Sequence, residues 1–254
     1  MPDRLRALAT AISERSHAPY SGAPVGVAIL LSDGRTVAAP RIENASFPLT
    51  ISALQGALAL AALARGTPVA VAQSTPFASH ALGAIASAAP SDWRIVGPDL
   101  AVSGGTLPKL ADAVDFELAD APDDLVRGAE LALAISERAV VPASHFPVGA
   151  VVVDAHGRTV AGANVEIATD WAAGLCAERT ALVAARAAGL GPIRTLYVAC
   201  VKAPGGTPCG GCRQVIAELA PDAAVAIWRG PDPPHVTSPD VLLPGAFRGD
   251  ALGR

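Results

Sequence analysis

The chain repeats itself. Ala11-Ile12-Ser13-Glu14-Arg15 recurs as Ala134-Ile135-Ser136-Glu137-Arg138, a displacement of 123 positions. The same displacement carries Pro24-Val25-Gly26 onto Pro147-Val148-Gly149, Gly34-Arg35-Thr36-Val37 onto Gly157-Arg158-Thr159-Val160, and Glu43 onto Glu166. One inserted residue then aligns Ser52-Ala53-Leu54-Gln55 with Cys176-Ala177-Glu178-Arg179. A further insertion aligns Thr75-Pro76-Phe77-Ala78-Ser79-His80 with Thr207-Pro208-Cys209-Gly210-Gly211-Cys212. Two copies of one architecture in 254 residues predict tandem modules, each with its own core. The Pro- and Asp-containing stretch Ala119-Asp120-Ala121-Pro122-Asp123 is the expected linker, giving modules 1–120 and 121–254.

Each copy reads as helix, hairpin, helix, strand, helix, strand. In the second, apolar periodicity predicts helices over Asp124–Glu137, Leu175–Ala188 and Gly210–Leu219. Strands are expected over Ala150–Val153 and Thr159–Val165, joined by a turn ending at Gly157, and over Thr195–Val201 and Ala224–Trp228. Helices alternating with strands imply an α/β class, layered α/β/α. The sequence is 51% hydrophobic with only 4% aromatics, so its apolar mass is Ala, Val and Leu, suited to close helix-on-sheet packing. A net charge of −4 does not favour a nucleic-acid surface, which needs clustered Lys and Arg. No apolar run reaches the roughly 18 residues of a membrane span, and Met1-Pro2-Asp3-Arg4 does not open a signal peptide. A cytoplasmic location is expected, and there four cysteines suit metal or thiol chemistry better than disulfides.

The second copy carries the chemistry. Cys176-Ala177-Glu178 followed by Pro208-Cys209-Gly210-Gly211-Cys212 makes C-x-E then P-C-x-x-C, the known signature of zinc deaminases with Cys as first ligand. Cys176, Cys209 and Cys212 offer three thiolates, and sulfur donors select zinc over magnesium or calcium. Three protein ligands leave a fourth position for water, as a catalytic site requires. Helix N-termini at Cys176 and Cys209 would favour the thiolates. Glu178 is placed to move protons. Three thiolates leave a zinc ion with net negative charge, and Arg179 is the nearest group to offset it. A closed four-cysteine structural site including Cys200 is the alternative, although Cys200 sits in the apolar run Leu196–Val201, where a free Cys is usually core. In the first copy the ligand positions hold Ser52, Phe77 and His80, and the carboxylate position holds Leu54. One zinc per chain is therefore expected, with the first copy metal-free.

These residues resemble the cytidine deaminase family. The similarity extends through Phe146-Pro147-Val148-Gly149-Ala150, Asn164-Val165-Glu166, Cys176–Ala181, Pro208–Gln214 and the C-terminal Leu242–Phe247. In the first half it runs through Ala18-Pro19-Tyr20-Ser21 and Glu43-Asn44-Ala45-Ser46. The resemblance implies modules built on a mixed sheet of about five strands. It implies that Asn164 and Glu166 bind ribose hydroxyls, Phe146 packs on the nucleoside, and the Ala177 backbone with Glu178 holds the base edge. An Asn and a Glu two apart on a strand share a face, in keeping with those roles. It also implies a homodimer, since two double modules rebuild a four-module assembly, and a free nucleoside as partner. The expected reaction is deamination of cytidine or 2′-deoxycytidine with release of ammonia. The segment Ile167–Gly174, one residue longer than its counterpart and bearing Asp170 and Trp171, leaves a modified aminopyrimidine nucleoside as an alternative substrate. A zinc-stabilised binding protein without turnover is the alternative from another class.

Overall fold

The computed structural model describes residues 2–253. The chain clusters into two compact units. The first comprises residues up to Glu43, Ile51–Asp115 and Glu166–Gly174; the second comprises Asn44–Thr50, Phe116–Val165 and Leu175 onward. The first unit thus contains Glu166–Gly174 of the second copy, and the second unit contains Asn44–Thr50 and residues 116–120 of the first.

The first unit holds α1 (Pro2–Ser13), β1 (Gly26–Leu31), β2 (Thr36–Pro40), α2 (Ala53–Leu63), β3 (Pro68–Gln73), α3 (Ala81–Ala88), β4 (Arg94–Gly97) and β5 (Leu100–Val102). Its strands lie in the order β2-β1-β3-β5-β4. The all-apolar β1 sits near the middle, fully buried, with Leu5 and Ala9 of α1 packed on Ala28 and Leu30. α2 is apolar nearly all round (Leu54, Leu58, Leu60, Leu63), as a helix buried on most faces must be.

The second unit holds α4 (Leu125–Ser136), β6 (Gly149–Asp154), β7 (Thr159–Ala163), α5 (Ala177–Ala188), β8 (Ile193–Ala199), α6 (Gly210–Leu219), β9 (Ala224–Trp228), β10 (His235–Thr237) and the short α7 (Pro239–Leu242). Its strand order, β10-β9-β8-β6-β7, follows the same plan. β8 and β9 are parallel, with α6 as the crossover; the remaining pairs are antiparallel. The expected architecture of five strands flanked by helices is therefore present in both units, and the second sheet is mixed.

The first sheet differs in one respect: all its strand pairs run antiparallel. After α3 the chain makes a short hairpin. Leu100 and Ala101 of β5 are buried beside β3, whereas Arg94, Ile95 and Val96 of β4 are exposed at the edge. Burial selects the second arm of that hairpin as the inner strand, which reverses its direction. Arg6 of α1 grips the turn through Asp99, at 2.9 and 3.0 Å. In the second unit the apolar β9 comes first and takes the inner place directly.

Gly26 and Gly149, related by the duplication, solve one packing problem twice. A Cβ on Gly26 would stand 2.2 Å from the Ala9 carbonyl oxygen, and one on Gly149 would stand 1.9 Å from that of Ala132. In both units the helix backbone lies against the first strand too closely for any side chain. β7 ends at Ala163, short of the expected Val165; Val165 instead pairs in isolation with Leu175 and Val140. No helix is long and apolar enough to cross a membrane among the described residues.

Candidate metal and catalytic site

Two helix starts converge. Cys176 is the N-cap of α5 and Cys209 the N-cap of α6, both with extended backbone and neither using its side chain to cap. The thiols are free to face each other instead. Cys212 lies one turn into α6, fully buried. The Sγ atoms of Cys176 and Cys209 are 3.8 Å apart, and all three sulfurs lie within 4.8 Å of one another. No second cluster of this kind occurs among the described residues, and Cys200 is outside this one. Cys200 is buried at the end of β8, and burial pushes its thiol up, so it remains a neutral wall residue.

The thiols divide their protons unequally. Hydrogen bonds from Cys176 and Cys212 push the Cys209 thiol far down. Cys176 is pushed up to about 11 by its bond to Cys209, and Cys212 rises likewise. Three sulfurs within reach of one another, able to release protons to a divalent cation, make a donor set that fits zinc.

Glu178 is the second residue of α5 and only 4% exposed. Burial pushes its carboxyl up, and the neighbouring Cys209 charge adds to that. A carboxyl so placed holds a proton more readily than one in water, as an acid–base group near neutral pH requires. Arg179 points its Nη2 at the Cys176 sulfur, 3.8 Å away. Burial works against its charge, but the sulfurs, Cys176 foremost, outweigh it and hold the guanidinium firmly cationic. Its Nε is buried without a hydrogen-bond partner.

A cavity of about 230 Å³ opens over these residues. Cys176, Ala177, Glu178 and Cys209 line one side, Phe146, Val148 and Asn164 another, with Val198 and Cys200 also in its wall. Asn164 holds its neighbours in place: its Oδ1 accepts from Val148 N at 2.8 Å and its Nδ2 donates to Phe146 O at 2.9 Å. Glu166 does not line the cavity; it opens the segment that clusters with the first unit. The chain thus brings together Phe146, Asn164, Cys176, Ala177, Glu178 and Cys209. Val148 and Thr207 stand in matched segments but take no role from the sequence, and Val198 lies in no motif, because an aliphatic or hydroxyl wall has no signature of its own.

The equivalent place in the first unit is built from other residues. Ser52 caps α2, accepting from Gln55 N at 3.1 Å, and Leu54 is buried where Glu178 stands in the second unit.

The profile of the cytidine and deoxycytidylate deaminase zinc-binding region matches residues 124–227, and a second profile of the same description matches residues 2–75. The cytidine deaminase of Halalkalibacterium halodurans is 38% identical over 124 residues, covering 48% of this chain and 92% of that protein. The chain belongs to the cytidine and deoxycytidylate deaminase family. The cytidine deaminase of Mycobacterium tuberculosis is similarly 40% identical over 123 residues, covering 46% of this chain and 84% of its own. Among solved structures, cytidine deaminase from Burkholderia pseudomallei matches with 39% identity and a TM-score of 0.46, covering 49% of this chain and 99% of that one. Membership in this family of zinc enzymes and the three-sulfur cluster agree on the cofactor, which is zinc.

Proposed function

We propose that the protein hydrolyses the exocyclic amine of a free pyrimidine nucleoside, cytidine or 2′-deoxycytidine, consuming one water and releasing ammonia. The observation that carries this is a buried Glu178 lining one cavity with Cys176, Cys209, Phe146 and Asn164, beside the three-sulfur cluster. Cys176, Cys209 and Cys212 would hold one zinc per chain, which would supply a water acidified for attack on the ring carbon. Glu178 would take one proton from the attacking water and deliver it to the ring nitrogen, then take the second from the hydroxyl left on the ring carbon and pass it to the departing amine, leaving a carbonyl and ammonia. Phe146 stacks against the nucleoside. Asn164 keeps one amide hydrogen and one oxygen lone pair for a ribose hydroxyl, beyond the bonds that fix Phe146 and Val148. The Ala177 backbone meets the base edge.

On this reading residues 1–120 are a metal-free module and residues 121–254 the catalytic one. The chain works as a cytoplasmic homodimer with two zincs, acts in pyrimidine salvage and does not bind polynucleotide. Deamination of a modified or other aminated pyrimidine nucleoside is the second reading. It is favoured by the segment Ile167–Gly174 ahead of Cys176, one residue longer than its counterpart. The test is loss of ultraviolet absorbance across cytidine, deoxycytidine, cytosine and modified aminopyrimidine nucleosides. Turnover of cytidine supports the first reading, turnover of modified nucleosides alone the second. Turnover of none would overturn both.

A further inference from the structure

The two loops that cluster away from their own copies are each held by named side chains. In the second unit, Ala45 N donates to both carboxylate oxygens of Glu218, at 3.0 and 2.8 Å. Gln214, one turn earlier on α6, donates to Asn44 Oδ1 at 3.4 Å. These anchors set Leu49 on the ligand turn itself. A Cβ on Gly211 would stand 3.2 Å from Leu49 Cδ2 and 4.0 Å from Cys209 Sγ. Leu49 therefore packs directly on Gly211, between Cys209 and Cys212, where even a Cβ would make a tight contact.

In the first unit, Gln55 Nε2 donates to the carbonyls of Ala173 and Gly174, at 3.1 and 3.4 Å. The next residue, Leu175, is fixed by paired bonds with Val165, each 2.9 Å. The chain then reaches Cys176. By the duplication, Gln55 stands where Arg179 stands in the metal-holding copy.

We propose that the metal-free copy is a brace for the zinc. Leu49 and Gln55 are positioning residues: Leu49 holds the turn presenting Cys209 and Cys212, and Gln55 holds the backbone that delivers Cys176. The inference rests on those three cysteines being the zinc ligands. Ligands pre-set by surrounding packing and hydrogen bonds release a metal slowly, and loosening either support speeds that release.

Zinc release from the full-length protein to a colorimetric chelator, without substrate, tests this. Leu49→Ala and Gln55→Leu are each expected to release zinc about tenfold faster than the parent, the scale of one or two neutral hydrogen bonds or a lost apolar contact. Leu49→Met, which keeps the contact, is expected to restore the parental rate. Ser52→Ala removes the α2 cap but leaves the Gln55 carboxamide in place, so it controls for general destabilisation and is expected to release zinc at the parental rate. Parental release rates in Leu49→Ala and Gln55→Leu would overturn the brace, as would equal acceleration in Ser52→Ala. A parent chain that binds no zinc would instead defeat the ligand assignment beneath it.

Discussion

Arg179 lies with its Nη2 3.8 Å from the sulfur of Cys176 while its buried Nε has no hydrogen-bond partner. A cation here offsets the excess negative charge that three thiolates bring to a dication. Replacing Arg179 with Ala is expected to accelerate zinc loss and lower kcat, by about tenfold each. Zinc content after dialysis and steady-state rates check both. Unchanged zinc and unchanged rate would remove the charge-offset role.

Glu178→Gln keeps the shape of the side chain and loses its proton chemistry. The expected result is a fall in kcat of about a thousandfold with one zinc still bound per chain. Metal analysis alongside single-turnover rates separates the two effects. Full activity in Glu178→Gln would end the enzymatic reading of this residue.

Asn164→Ala removes the two bonds that tie Phe146 and Val148 together, at 2.9 and 2.8 Å. KM is expected to rise with a smaller change in kcat, and stability to fall by about 1–3 kcal/mol. Denaturant melts paired with kinetics distinguish this from a purely structural loss, which would leave KM unchanged.

Gly149→Ala places a methyl group against the Ala132 carbonyl. The helix must move off the sheet, at a cost of about 1–3 kcal/mol. The same change at Gly26, against Ala9, is expected to behave alike. Thermal unfolding reads both.

Asp154 is fully buried and accepts from the main-chain N–H groups of His156, Arg158 and Gly191, at 2.8 to 2.9 Å. Burial works to raise its carboxyl, but those bonds outweigh it and hold it below the ordinary value of 3.8. Because the folded value is the lower one, the stability it contributes is present above 3.8 and drains away as pH falls further. Asp154→Asn is expected to flatten the acid limb of the stability curve, measured by denaturant melts between about pH 5 and pH 2.

Much of the site is legible in the residues because its chemistry is local. Cys176 and Glu178 share one helix start, and Cys209 and Cys212 share another, so spacing alone places each pair. The duplication likewise exposes the frame, since Gly26 and Gly149 recur wherever a helix must approach a strand. What spacing does not carry is the side chain's second partner. Asn164 is identifiable as polar at a strand end, but its bonds to Phe146 and Val148 depend on a neighbouring segment folding alongside. The antiparallel β5 has the same origin: the sequence marks Leu100 and Ala101 as apolar, but which arm of a hairpin goes inward is decided by the completed sheet. Glu218 and Gln55 carry no motif, because a carboxylate or carboxamide bound to main-chain groups leaves no pattern in the sequence.

The traded loops bear on how the chain could be divided. Asn44–Thr50 of the first copy clusters with the unit that holds the three sulfurs, and Glu166–Gly174 of the second copy clusters with the other. A cut between the two copies would therefore strip each unit of a segment that it contains.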